Sequence, residues 1–334
     1  MGSHRSADFT RWLQAGVSNS GLVPTLKALT EGKSDLIQDH TPSLAAEYML
    51  PASPSLTFPN HWTLQTGLNP SSHGIVANDF HLTPHYDGRL RKNSSFYYTD
   101  PNQSWSPKWW RGVSIWEHLE TNNVKTANLM WPGPRHFQRY QKGWTLKQRH
   151  DKIVSWLDLP ATDRPQFICA YAPDVDTASH NFGPDVGLAP VATALRAVDH
   201  YIQQLFLSLA ERNVTDLVNV IVVSDHGMTF TSNDRLIYLD DVLGKHLFDS
   251  LVTVDGWPNA GLRFRTSDEY AEAQDRLQKE QRRWNKRGVH AFDIVSREEL
   301  VERFNWTMTD LAVDRTAPLW ILPSVGWESL RGRR

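Results

Sequence analysis

The chain has 334 residues, 40% of them hydrophobic and 22% charged, with a formal net charge of −2. That is globular composition with enough apolar residues for a sizeable core, and it leaves no overall field to favour nucleic acid or an anionic membrane. A single cysteine, Cys169, rules out an intrachain disulfide and a cysteine-type structural zinc site, so any metal has to be held by histidines and carboxylates.

Residues 7–15 read as a short helix, and PTLKALTEG, from Pro24, as another that stops at Gly32. The stretch SLTFPNHWTLQTGLNPSSHGIVANDF, Ser55 to Phe80, opens on a third. Pro59 suits a first helical position, where its missing N–H costs nothing, and the helix runs through His61 to Thr66 until Gly67 and Pro70 end it. Thr57 therefore lies near a helix N-terminus, where unpaired N–H groups and the helix dipole favour an anion such as a phosphate. The plainer alternative is that Thr57 only caps the helix.

A loop-rich aromatic stretch, His81 to Gly112, follows. The chain holds 14 tryptophans, three of them in PKWWRGVSIW, and these fit either a core or a stacking surface. Ile115–Thr121 is helical in pattern; VKTANLMW, Val124 to Trp131, and QFICAYA, Gln166 to Ala172, read as buried strands. A long helix starts near Pro190, with Val191, Ala194, Leu195, Val198, Ile202, Leu205 and Leu209 forming one apolar stripe. LVNVIVVS, Leu217 to Ser224, is nearly all apolar, as a strand covered on both faces of a parallel sheet should be. Two later helices carry capping boxes, Thr266 with Glu269 and Ser296 with Glu299, and APLWILP, Ala317 to Pro323, is a last strand candidate.

Strands separated by helices indicate a parallel α/β sheet in one large domain, 1–334. Ligands of such sheets bind beyond the carboxyl ends of the strands. PDVDTASHNFGP follows the second strand candidate, and its Asp176 and His180 are four apart, on one face of a helical turn. Asp225 and His226 follow the Leu217–Ser224 run, and Gly227 permits the bend that would let both face one target. Each pair alone is as well explained by a hydrogen-bonded loop; two such pairs, each after a strand, favour a bimetallic site.

TFPNHWTLQTGLNPSSHGIVAN, PDVDTASHNFGP and VVSDHGM, in that order, resemble the type I phosphodiesterase/nucleotide pyrophosphatase family of the alkaline phosphatase superfamily, and PKWW, WPG, DRLIYLDD, DGWPNAGLR and APLWILPSVGW are similar to its eukaryotic members. The resemblance implies a three-layer α/β sandwich with a mostly parallel central sheet. It implies that Thr57 is the nucleophile, that Asn78 helps to hold the transferred phosphoryl group, and that Phe58 and Trp131 line a nucleotide pocket. Either Phe137 or Tyr140 supplies the aromatic that stacks on the base, and spacing does not choose between them. Two zinc ions are implied, one held by Asp176 and His180 and the other by Asp225 and His226, with Thr57 a ligand of the second once deprotonated. A metal at the threonine oxygen would generate an alkoxide at neutral pH, Thr57 would form a phosphothreonine intermediate, and activated water would release it.

Against the family pattern, a first buried strand ending in Asp-Gly-Phe-Arg is missing before HRSADFTRW, and a Gly-Tyr-His-Gly segment is missing after the last residue. Each zinc thereby lacks one protein ligand, so the expectation is weak zinc binding and low activity. Alternatives are an inactive nucleotide-binding or structural remnant, or a sister phosphotransferase acting on phospholipid or glycan phosphates.

The family resemblance also implies the secretory pathway. Four N-x-S/T sequons, at Asn93, Asn102, Asn213 and Asn305, agree with a glycoprotein. The chain itself shows no span of roughly 20 apolar residues, no apolar signal core in MGSHRSADFTRW, and no basic patch suited to nucleic acid.

Overall fold

A computed structural model describes residues 21–32, 45–46, 48–84, 89–91, 94–133 and 143–332. The helix expected at 7–15, the sequon at Asn93 and the two aromatics Phe137 and Tyr140 lie outside the described residues. The chain is α/β and divides into two compact units, 1–51 with 115–229 and 52–114 with 230–334.

In the first unit, strands Thr126–Leu129 and Phe167–Ala170 pair in parallel, Thr126 opposite Phe167 and Leu129 opposite Ala170. Both end where the sequence has its break: Asn128 accepts from the Trp131 N–H at 2.9 Å, and Met130 takes a positive φ of 65° to make the turn. Helix Leu146–Leu157 packs Ile153 against Leu129 and Met130. The long helix Ala189–Glu211 buries Val191, Leu195, Ile202 and Leu209 of the expected stripe, and also Asp199. That carboxylate accepts from the Thr25 and Leu26 N–H groups at 3.1 and 2.8 Å, capping helix Pro24–Glu31 from across the unit, because its own N-cap, Val23, has no side-chain acceptor.

The run Leu217–Ser224 is a correction. Thr215–Leu217 is a 3₁₀ turn, residues 218–224 join no ladder among the described residues, and Leu217 and Ile221 are 79% and 86% exposed. Composition marks the run as a buried strand, but a strand exists only where a neighbouring ladder takes up its N–H and C=O groups.

The second unit centres on a four-stranded antiparallel sheet in the order Thr253–Asp255, Ala260–Arg263, Leu319–Pro323, Phe292–Ser296. The last strand candidate is thus real, but both its neighbours, Ala260–Arg263 and Phe292–Ser296, run antiparallel to it. Helix Ser267–Asn285, opened by the Thr266/Glu269 capping box, buries Ala273 and Leu277 against this sheet's Leu262, Phe292 and Ile321. The Ser296/Glu299 box is also formed, and a further one, Thr145/Gln148, opens helix Leu146–Leu157. Strands Leu236–Tyr238 and Glu328–Leu330 add a parallel pair, and Asp79–His81 with Ser95–Tyr97 an antiparallel one.

The tryptophans of PKWWRGVSIW are core: Trp109, Trp110 and Trp116 are all buried, and the Trp109 and Trp110 indoles donate to the Gln103 and Ser104 carbonyls. Beneath the short antiparallel pair lies a buried charge cluster. Asp255 takes the His81 Nδ1 at 2.6 Å and the Arg263 Nε at 2.9 Å. Burial alone would raise the Asp255 carboxyl, but Arg263 and His81 more than offset this and hold it below the usual carboxylate range. Asp255→Ala leaves the Arg263 charge buried and unpaired, so it should lower stability by about 3–5 kcal/mol in denaturant unfolding; an unchanged midpoint would contradict this reading.

Candidate active site

Helix Thr57–Thr66 begins two residues earlier than Pro59 suggested. Its N-cap is Leu56, in extended backbone, and Pro59 is the third helical residue. Thr57 is therefore not the cap but the first helical residue. Of the donors of that first turn, Pro59 has none, and the Phe58 N–H is taken by the Asn78 Oδ1 at 2.9 Å. With its oxygen engaged there, the Asn78 carboxamide presents its NH₂ group, two donors suited to phosphoryl oxygens, beside the Thr57 end of the helix.

Asn78 is held at several points. Its carbonyl accepts from the Tyr98 N–H at 3.1 Å, and the segment before it is tied down by His73 and Gly74. The His73 carbonyl accepts from the Arg111 N–H at 3.0 Å; its ring Nδ1 accepts from the Ile75 N–H at 3.1 Å. Gly74 has φ +85°, and its carbonyl accepts from Arg315 at 2.7 Å; a Cβ there would lie 2.4 Å from that guanidinium, so both conformation and space require glycine.

His73 is fully enclosed. Burial, with Arg315 adding to it, lowers its pKa to about 3, so the folded ring is neutral. The sign of the pH effect follows. An unfolded chain takes up this proton near the ordinary value of 6.5, while the folded chain refuses it until about 3. The fold therefore loses stability as pH falls below about 6.5, by up to about 1.4 kcal/mol per pH unit from this residue. Urea unfolding at pH 7 and 5 should show the loss, and a His73→Asn variant should show a slope smaller by up to one proton; equal slopes would contradict it.

Phe58 is buried at the edge of an aromatic group: Phe96, Tyr98 and Trp110 stand 6.0, 5.5 and 6.1 Å from it, centroid to centroid. Tyr98, 47% exposed, gives this group an outward aromatic wall. Sequence reasoning missed both Tyr98 and His73. The first sat in a stretch read only as loop, and the second carries no signal apart from the SSHG turn it belongs to.

In the other unit, helix Asp174–Phe182 follows strand Phe167–Ala170, as expected, and brings the His180 Nε2 within 3.5 Å of the Asp176 Oδ1. Arg149 donates to Asp174 and to the Trp144 carbonyl, fixing the start of that helix. Asp225 and His226 also come together, His226 Nε2 to Asp225 Oδ2 at 3.4 Å, although no strand precedes them. The His226 Nδ1 faces the Gly227 carbonyl at 2.8 Å, and a carbonyl can only accept, so Nδ1 carries the proton. In the neutral ring Nε2 is then a lone pair facing a carboxylate oxygen, an arrangement that a cation between them relieves.

Two donors about 2.1 Å from one tetrahedral zinc stand roughly 3.4 Å apart. Both pairs match that edge. Among the described residues no group of three or more His, Cys, Asp or Glu side chains that could hold a metal ion comes together.

The profile of the type I phosphodiesterase/nucleotide pyrophosphatase family matches residues 15–334. The chain belongs to that family. A pyrophosphatase/phosphodiesterase of Schizosaccharomyces pombe is 35% identical over 319 residues, 92% of this chain and 60% of its own length. Ectonucleotide pyrophosphatase/phosphodiesterase family member 3 of Bos taurus is 36% identical over 66% of this chain and 24% of its own. The chain thus spans 60% of the length of the first of these relatives and about a quarter of the second. Among solved structures, murine ectonucleotide pyrophosphatase/phosphodiesterase 5 superposes with a TM-score of 0.69 at 28% identity, over 84% of this chain and 70% of its own. The same murine protein, as an inactive threonine-to-alanine variant in complex with AMP, matches with a TM-score of 0.69 at 27% identity. In this family member, no described helix is long and apolar enough to cross a membrane.

Proposed function

We propose that this chain is the catalytic part of a nucleotide phosphodiesterase/pyrophosphatase in which the Thr57 Oγ1 attacks phosphorus. The observation that carries this is Thr57 at the first position of its helix, with Asn78 locked to the next N–H. The Oγ1–P bond forms as the P–O bond to the leaving group breaks, the leaving oxygen taking the electron pair and the threonine proton passing to solvent. Water then attacks the same phosphorus, the Oγ1–P bond breaks, and a proton from that water returns to the Thr57 oxygen. Asn78 would orient and neutralise the phosphoryl oxygens through its NH₂ group. Phe58 and Trp131, with Phe137 or Tyr140, would take the nucleoside.

Asp176 with His180, and Asp225 with His226, would hold two zinc ions; their donor types and separations suit that metal. When bound, zinc supplies Lewis-acid stabilisation of developing charge and lowers the pKa of an oxygen nucleophile. That a solved relative is an inactive threonine-to-alanine variant holding AMP supports both the threonine and the nucleotide. Relatives named for ecto-enzymes and for venom, together with the sequons at Asn102, Asn213 and Asn305, support a secreted or surface-tethered glycoprotein.

The test is substrate profiling. Nitrophenyl thymidine monophosphate should be hydrolysed at least about tenfold faster than nitrophenyl phosphorylcholine, a difference of about 1.4 kcal/mol in barrier. The reverse order would move the reading to a lipid-type phosphodiesterase.

A further inference from the structure

We infer that His73 is a positioning residue for this reaction: its neutral ring pins the segment carrying Asn78 onto the nucleophile helix. This rests on the reading of Thr57 and Asn78 given above.

The geometry assigns each ring nitrogen a role. Nδ1 accepts from the Ile75 N–H, so in the neutral ring the proton is on Nε2. Nε2 lies 3.0 Å from the Thr63 Oγ1. Thr63 belongs to helix Thr57–Thr66. One side of the ring therefore grips the nucleophile helix while the other grips the backbone two residues on from His73. Five residues after His73, Asn78 reaches back to the same helix at Phe58. The segment 73–78 is thus closed at both ends on one rigid element.

The chemistry suits a fixed strut and not a proton carrier. A second proton would have to sit on Nδ1 against the Ile75 N–H, and the charge would be buried beside the Arg315 guanidinium, which donates to Gly74 next door. The ring's nitrogens engage Ile75 and Thr63, so its effect on turnover runs through where the Asn78 carboxamide stands.

The experiment compares steady-state hydrolysis of nitrophenyl thymidine monophosphate by the parent protein and by His73→Phe, Thr63→Val, Thr63→Ser and Thr57→Ala. His73→Phe keeps the ring shape and loses both nitrogens. It should lower kcat by roughly 10- to 100-fold, with KM changed by no more than about threefold and zinc content unchanged. Thr63→Val, which leaves the core ring in place, should lower kcat by several-fold, and Thr63→Ser, which keeps the hydroxyl, should restore it. Parent-like kcat in His73→Phe overturns the inference, as does an equal fall in Thr63→Val and Thr63→Ser. If His73→Phe does not fold, the Thr63 pair decides. The control separates the two readings: activity retained in Thr57→Ala would remove the nucleophile assignment itself, whereas an inactive Thr57→Ala beside a fully active His73→Phe removes only the role of His73.

Discussion

Thr57→Ala is expected to reduce turnover of a nitrophenyl nucleotide ester by at least about 1,000-fold while leaving zinc content and the unfolding midpoint unchanged. The size follows from the step that is removed. Without the hydroxyl no covalent intermediate can form, and only the residual benefit of binding and electrostatics is left to speed direct attack by water. The stability expectation follows from position. Thr57 is the first residue of its helix but not its cap, and Leu56, which is the cap, uses no side chain. A threonine whose work was capping would show the opposite pattern, a loss of roughly 1 kcal/mol in stability with turnover largely kept.

The second large effect concerns the metal pairs. Alanine at both Asp176 and His180, or at both Asp225 and His226, should lower zinc by about one ion per chain relative to the parent, measured by elemental analysis, and cut activity by more than about 100-fold. The two losses should be separate, because each pair has its own tetrahedral edge, 3.5 Å in one and 3.4 Å in the other. Loss of both ions in each variant, or of neither, would contradict the division into two sites. His226→Asn offers a finer check. Its side chain lacks the Nε2 that faces Asp225 while Nδ1 is held by the Gly227 carbonyl, so zinc affinity should fall at this site alone.

How much of this could be read from the sequence depended on how local the signal was. Helices closed by their own neighbours were legible: the Thr266 and Ser296 boxes, the stop at Gly32 and the span Ile115–Thr121 all appear as expected. The pairing of Asp176 with His180 was legible for the same reason, since a helical turn fixes it. What depended on distant partners was not. Leu217–Ser224 has the composition of a central strand, yet its ladder depends on residues elsewhere, and among the described residues none supplies one. APLWILP was correctly a strand, but the direction of its neighbours, Ala260–Arg263 and Phe292–Ser296, depends on pairings between segments far apart in the chain.

Asp199 sits within the helix that carries the apolar stripe, and the packing of a second helix, whose Thr25 and Leu26 N–H groups it accepts from, explains its burial. Pro59 misled by two residues, because the helix has room for Thr57 and Phe58 before it. His73 was invisible as a site residue because its work is done through hydrogen bonds to helix Thr57–Thr66 and to Ile75, neither of which leaves a pattern in the sequence.

The central claim, that Thr57 is the nucleophile, is tested most directly by rapid acid quench of the protein with a nucleotide ester, followed by peptide mass spectrometry. A covalent nucleoside monophosphate adduct on the peptide containing Thr57, absent in Thr57→Ala, is the predicted result. An adduct on another residue under the same quench, with the Thr57 peptide unmodified, would contradict it.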